Sequence, residues 1–342
     1  MMTGRAWRAI AGAACSAMVG MFCLVPPALA QDPDCTVTPR VAGNPTDVCR
    51  KSADLFAFVV PQFGLALAGG NPVLGEGGTL GGWGKRTVTL RISAVDGRLP
   101  DNTVPLTLNR SAAVADNFGA KRTVVPMASI DAAVGLFAGI PMGVTNIGGV
   151  DALISATGVP RVAEGDLTVR PQGASVAFSF GGRVGLLQES SIVPGLSVSW
   201  LRRKVPTLDV DYAPSNDTVQ ARNIALTTES LRLVASKRFL LLGVAGGIGR
   251  DKIKGTTDLT AVVNESLLGV PSRAAIAFPT LQETVTRNTA FVNVSFGVPA
   301  ARVVVEYGRA GTGDVRSTVN SFGDRTPHSA YSYGSAGVTV RF

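Results

Sequence analysis

The stretch SAYSYGSAGVTVRF, residues 329–342, alternates in character and closes on an aromatic residue. Successive side chains of a strand point to opposite faces. Ala336, Val338, Val340 and Phe342 therefore share one face, and Tyr333, Ser335, Gly337, Thr339 and Arg341 the other. One face suits lipid and the other water. A half-buried strand in a soluble sandwich would alternate in the same way, so the opposite end of the chain has to separate the two cases.

At that end, Arg5 and Arg8 precede an uncharged apolar stretch from Ile10 to Val25, then Pro26-Pro27 and the small-residue ending Ala28-Leu29-Ala30. This pattern predicts a secretory signal peptide over residues 1–30, cleaved before Gln31. Cys15 and Cys23 leave with it. Cys23 follows Gly20-Met21-Phe22, without the small residue that a lipoprotein signal places directly before its cysteine, and Cys15 comes too early, so no lipid anchor is expected. Cys35 and Cys49 remain, and an oxidising compartment predicts a disulfide between them.

Composition narrows the class. Removing Arg5 and Arg8, with no acid in the same segment, takes the formal charge from +8 to +6. The basic residues are scattered singly or in pairs, so no nucleic-acid surface is expected; lipopolysaccharide and anionic lipid are the anionic neighbours of an exported chain. Mean hydropathy is positive, yet no apolar run of spanning-helix length is expected after residue 30, which points to strands. Forty glycines and 16% charged residues fit a membrane barrel with tight turns. One histidine cannot fill a metal site, so neither metal nor cofactor is expected.

From Lys85 onward the period-two signal persists. Val88, Leu90, Ile92 and Ala94 alternate with an inward series that contains Arg91; Ala128, Ile130, Ala132, Val134 and Leu136 alternate with Ser129 and Asp131. Val150, Ala152 and Ile154 oppose Asp151. Val176, Phe178, Phe180 and Val184 oppose Arg183, and Leu196, Val198 and Trp200 share a face. Val292, Val294 and Phe296 oppose Asn293; Val303, Val305 and Tyr307 oppose Arg302 and Glu306. Arg91, Asp131, Asp151, Arg183, Arg302 and Glu306 are thus the expected lumen-facing charges. Residues 97–125, 205–221 and much of 251–286 are expected to be loops. Single-chain bacterial barrels close with even strand numbers, and the expectation is an all-β, antiparallel transmembrane barrel of about twelve strands, within a range of ten to fourteen, over residues 85–342.

Residues 31–84 form a separate amino-terminal segment. Ser52 is expected to cap a short helix that Pro61 breaks. The glycines of Gly75-Glu76-Gly77-Gly78-Thr79-Leu80 invite a phosphate-loop reading, but Leu80 stands where the last glycine of GxGxxG belongs and no GK[ST] follows. A terminal Phe with small or apolar residues at alternate positions before it resembles the final strand of bacterial outer-membrane proteins. That resemblance implies recognition of Phe342 by the barrel-assembly machinery and residence in the outer membrane. The glycine-rich stretch with Asn71-Pro72 resembles the amino-terminal region of the FadL-like outer-membrane transport family, although Val73 replaces the alanine of the Asn-Pro-Ala motif. This implies that residues 52–84 plug the barrel and that a monomer passes hydrophobic small molecules. A Gly-Pro turn leading into the first strand is the competing reading of the same residues.

No enzyme is expected. His328, the one histidine, lies in a turn-like GDRTPHSAYS near Asp324, and no GxSxG elbow is present. Two other classes stay open: a structural or docking barrel that supports a surface or secretion complex, and a secreted soluble β-protein. An internal apolar cavity would favour transport; a fully plugged interior would favour docking.

Overall fold

The computed structural model describes residues 46–101, 115–159, 161–164, 167–213, 217–267 and 270–342. The expected signal peptide and Cys35 lie outside the described residues. Helix α1 (Thr46–Ala68) comes first. The strands follow: β1 (Arg86–Asp101), β2 (Asn117–Phe137), β3 (Ile140–Met142), β4 (Thr145–Ile147), β5 (Gly149–Gly158), β6 (Val162–Glu164), β7 (Leu167–Pro171), β8 (Val176–Leu187) and β9 (Gly195–Lys204). The remainder are β10 (Leu208–Tyr212), β11 (Thr218–Phe239), β12 (Leu242–Leu267), β13 (Val270–Ala277), β14 (Leu281–Val298), β15 (Ala301–Ala310), β16 (Ser321–Phe322) and β17 (Tyr331–Arg341).

Ten of these strands, β1, β2, β5, β8, β9, β11, β12, β14, β15 and β17, pair antiparallel in that order. The ring closes where β17 meets β1, with Val88 opposite Val340 and Ile92 opposite Ala336. The ring has ten strands, at the lower end of the expected range of ten to fourteen, because most of 251–286 forms extensions of β12 and β14 and adds no further stave. Residues 256–263 are in the far half of β12, and residues 223–235 lie within β11.

The outward faces match the alternation read from sequence. Leu90, Ile130, Phe180, Val294, Phe296, Val305 and Val338 are exposed, forming an apolar band around the ring. Phe180 and Trp200 meet edge-on across neighbouring strands, their ring centroids 6.2 Å apart. A soluble monomer rarely exposes so large a contiguous apolar surface.

The two ends of the barrel differ. At the end that carries Phe342, β11 passes to β12 and β14 to β15 through two-residue turns. At the other end the wall rises well above the ring. Three expected loops are partly strand there: β1 runs on to Asp101 and β2 starts at Asn117; β10 and the first residues of β11 occupy much of 205–221; and β12, β13 and β14 fill most of 251–286. On these segments the outer face is charged and wet, so the apolar alternation that marks the lower barrel is diluted.

Helix α1 stands inside the ring. It begins six residues before Ser52 and continues through Pro61. Proline inside a helix removes a hydrogen bond and costs ~3 kcal/mol, but nearly every residue of α1 is buried. Leu55, Phe56, Phe58, Val60 and Leu65 all join the main apolar core against the barrel wall, and full burial of each such side chain contributes roughly 1.5–3 kcal/mol. Contrary to the expectation that no spanning-length apolar run follows residue 30, α1 is long and apolar enough to cross a membrane, although the wall encloses it. From Leu55 to Ala68 the helix carries no charged residue, as a helix buried on all sides requires.

Candidate functional site

Helix α1 is anchored at the tall end of the barrel. Asp54 pairs with Arg316 at 3.1 Å and accepts hydrogen bonds from the backbone N–H groups of Val319 and Asn320. Lys51 pairs with Asp47 and with Asp116, at 2.9 and 2.7 Å. Phe58 stacks on Phe322, with 4.1 Å between centroids. The carboxyl end of α1 reaches the middle of the barrel, where Arg232 donates to the carbonyls of Gly69 and Gly70 and pairs with Asp251 at 2.7 Å. A cation suits the electronegative end of a helix.

Residues 69–84 then cross the lower interior, tied to the inward-facing charges. Asn71 is the centre. Its backbone N–H donates to Glu306 at 2.8 Å, and its side-chain amide donates to the carbonyl of Glu76 and to Asn293 Oδ1, each at 3.0 Å. Asn293 itself donates to Glu306 at 2.5 Å, and Arg91 donates to the Asn71 carbonyl at 2.8 Å. Glu76 meets three guanidinium groups: it accepts a bond from Arg302, and Arg183 and Arg341 lie 3.8 and 3.7 Å away. Below it, the Leu80 N–H donates to Asp151, and Arg341 donates to the Leu80 carbonyl at 2.6 Å. The fit needs glycine where the segment touches the wall. A Cβ at Gly77 would lie 2.4 Å from the Ser236 backbone nitrogen, and one at Gly70 would lie within the Glu306 carboxylate.

All six expected lumen charges are therefore interior and buried, and each is engaged. Arg91 pairs with Asp131 at 2.9 Å and Arg183 with Asp151 at 2.6 Å, while Arg302 and Glu306 bind the crossing segment. Pro72 follows Asn71 and receives a long contact, 3.5 Å, from Arg91 to its carbonyl. Phe342 is exposed and exchanges backbone hydrogen bonds with Arg86 across the closing seam, at 2.9 and 3.2 Å. Cys49 is buried in the first turn of α1; Cys35 lies outside the described residues. Glu76, Arg232 and Asp251 join the site without a period-two signal that singles them out in the sequence. The available signal for Glu76 was a lone acid within a glycine run.

A second feature lies above the crossing segment, between α1 and the projecting wall. Leu55, Phe56, Val59, Val60 and Phe63 of α1 face Leu208, Val210, Val219, Ile224, Leu226 and Leu259 across a pocket. Its cavity volume is about 90 Å³. Among the described residues that line it none is charged. Ser52, expected as a helix cap, instead sits in the second turn of α1 on the pocket wall. On the outer face of the same wall, Asp258 accepts bonds from Asn223 at 2.9 Å and Thr280 at 2.8 Å, and these hold its carboxyl below the usual carboxylate range.

No protein-family model matches the chain, and neither does any curated protein. Solved structures do. The translocator domain of the autotransporter NalP from Neisseria meningitidis is 12% identical, with 76% of this chain and 89% of that one covered and a TM-score of 0.39. The Ralstonia pickettii toluene transporter TbuX is 12% identical, covering 79% and 91%, at a TM-score of 0.22. The outer-membrane expressed OmpT of Vibrio cholerae is 11% identical, covering 75% and 97%, at 0.18. These neighbours are outer-membrane barrels, and at such scores the likeness carries no argument about activity.

Proposed function

We propose that this chain is an outer-membrane barrel that passes hydrophobic small molecules, with residues 52–84 acting as its internal plug and gate. The observation that carries this reading is the uncharged apolar pocket at the tall end, stacked above a lumen filled by residues 69–84. Pockets that bind small molecules are concave and mainly apolar, with a few placed polar groups. The outward apolar band supports a membrane setting. The turn pattern supports an orientation in which the Phe342 end faces the periplasm and the tall end the exterior. The FadL-like resemblance agrees with this reading at Asn71-Pro72, which sits at the centre of the plug contacts, and departs from it at Val73.

The test is uptake of an uncharged fluorophore, N-phenyl-1-naphthylamine, by whole cells that carry the barrel. Wild type should admit it faster than Val219→Trp, which fills the pocket, at equal amounts of folded barrel; equal rates would reject passage through this site. The filled interior also favours a second reading, a docking barrel whose lumen never opens. Planar-bilayer recordings of a variant lacking residues 52–84 separate the two: a conducting pore supports the gated transporter, and a silent one the docking barrel.

A further inference from the structure

The charge and hydrogen-bonding character of the apolar pocket limits what it takes. Its walls are mainly Leu, Ile, Val and Phe, from α1 on one side and from β1, β7, β10, β11 and β12 on the other, with no Lys, Arg, Asp or Glu among the described lining residues. A carboxylate or ammonium entering such a space would lose its hydration with no ion to replace it, a cost far larger than that of burying a neutral group. The buried arginines of the barrel interior do not offset this, because none of them lines the pocket: Arg91 and Arg232 pair with Asp131 and Asp251, and Arg203 contacts Ser230 Oγ at 3.5 Å.

Two hydroxyls break the apolar lining, those of Ser52 and Tyr212, and Tyr212 is already engaged elsewhere. Ser52 is 1% exposed, and its Oγ has no hydrogen-bond partner. A serine inside a helix can satisfy itself by donating back to the carbonyl four residues earlier, and Ser52 does not. A buried hydroxyl left without a partner is costly, and Ser52 is one of the residues that line the cavity. Both observations favour a ligand that is mainly hydrocarbon and brings a single neutral oxygen to Ser52.

We propose that the pocket selects uncharged, largely apolar molecules bearing one neutral hydrogen-bonding group, such as an alcohol or phenol, over fatty acids and other charged amphiphiles. This rests on the reading of the pocket as a cargo site. Ser52 Oγ meets the ligand oxygen, and the hydrocarbon lies between α1 and β11.

The test uses the full barrel in lipid nanodiscs, with displacement of N-phenyl-1-naphthylamine by 1-octanol, octane and octanoate at pH 7.5. Octanol should bind at least tenfold more tightly than octanoate. Ser52→Ala should bind octane as wild type does, while its preference for octanol over octane should fall about three- to tenfold, the loss of one hydrogen bond. Octanoate binding as tightly as octanol would overturn the selectivity and leave the cargo site standing. An unchanged octanol preference in Ser52→Ala would overturn the role of Ser52. No binding by any of the three, with Val219→Trp indistinguishable from wild type, would overturn the cargo reading itself.

Discussion

Val294 and Asn293 are neighbours on β14, and they face opposite environments. Val294 is exposed on the apolar band; Asn293 is buried against Asn71 and Glu306. Arginine at Val294 should cost ~2–4 kcal/mol if the residue lies near mid-membrane. Sequence alone suggests that Asn293→Arg is mild, because a lumen-facing residue would meet water. The packed interior reverses that expectation. An added cation there displaces the Asn71 contact within a close-packed site, so both variants should lower the unfolding free energy in lipid. A neutral Asn293→Arg would mean that the segment around Asn71 leaves the lumen readily. Alternation was enough to place Val294 and Asn293 on their faces, since each residue on a regular strand reports its own side. It could not reveal what fills the inside, because Asn71 is 222 positions away.

At the level of elements, the crossing segment is fastened chiefly through Glu76, which three arginines from three different strands approach. Glu76→Gln removes the negative charge and leaves Arg302, Arg183 and Arg341 close together. Breaking a buried pair by removing one partner costs ~3–5 kcal/mol, and here the cost falls on the attachment of residues 69–84 while the strand ladder stays intact. The expected result is a barrel that still assembles and shows frequent channel openings in planar bilayers; a closed trace identical to wild type would show that Glu76 is not the latch. Legibility also varied by element. Strands β14 and β15 announce themselves because β-branched residues alternate with polar ones over their whole length. The upper halves of β1, β2, β11 and β12 do not, because both of their faces are mixed above the apolar band. Helix α1 is hidden for a different reason: from Leu55 onward burial on all sides leaves no charged face to give a helical period, and Pro61 argues locally against a helix that tertiary packing nonetheless sustains. The pocket, built where α1 meets those upper strands, was illegible for both reasons together.

For the whole molecule, the seam between β1 and β17 is where the ring closes, and Phe342 ends it through paired backbone bonds with Arg86. Deleting Phe342 removes those bonds and the exposed aromatic ring together. The amount of folded, heat-resistant barrel, read from gel migration before and after boiling, should fall, while uptake per folded molecule stays the same. Unchanged yield would remove Phe342 from any role in assembly. The path of the chain carries one more consequence. It descends through the ring as α1 and residues 69–84, turns at the Phe342 end and rises again as β1, itself a stave of the ring. The wall is thus wrapped around its own leader like a bead around a cord knotted to it. Were the cord drawn downward, α1 would be pulled away from Asp116 and Arg316 as the lumen was freed, so on the proposed gating, opening at the lower end and collapse of the upper pocket would belong to a single stroke.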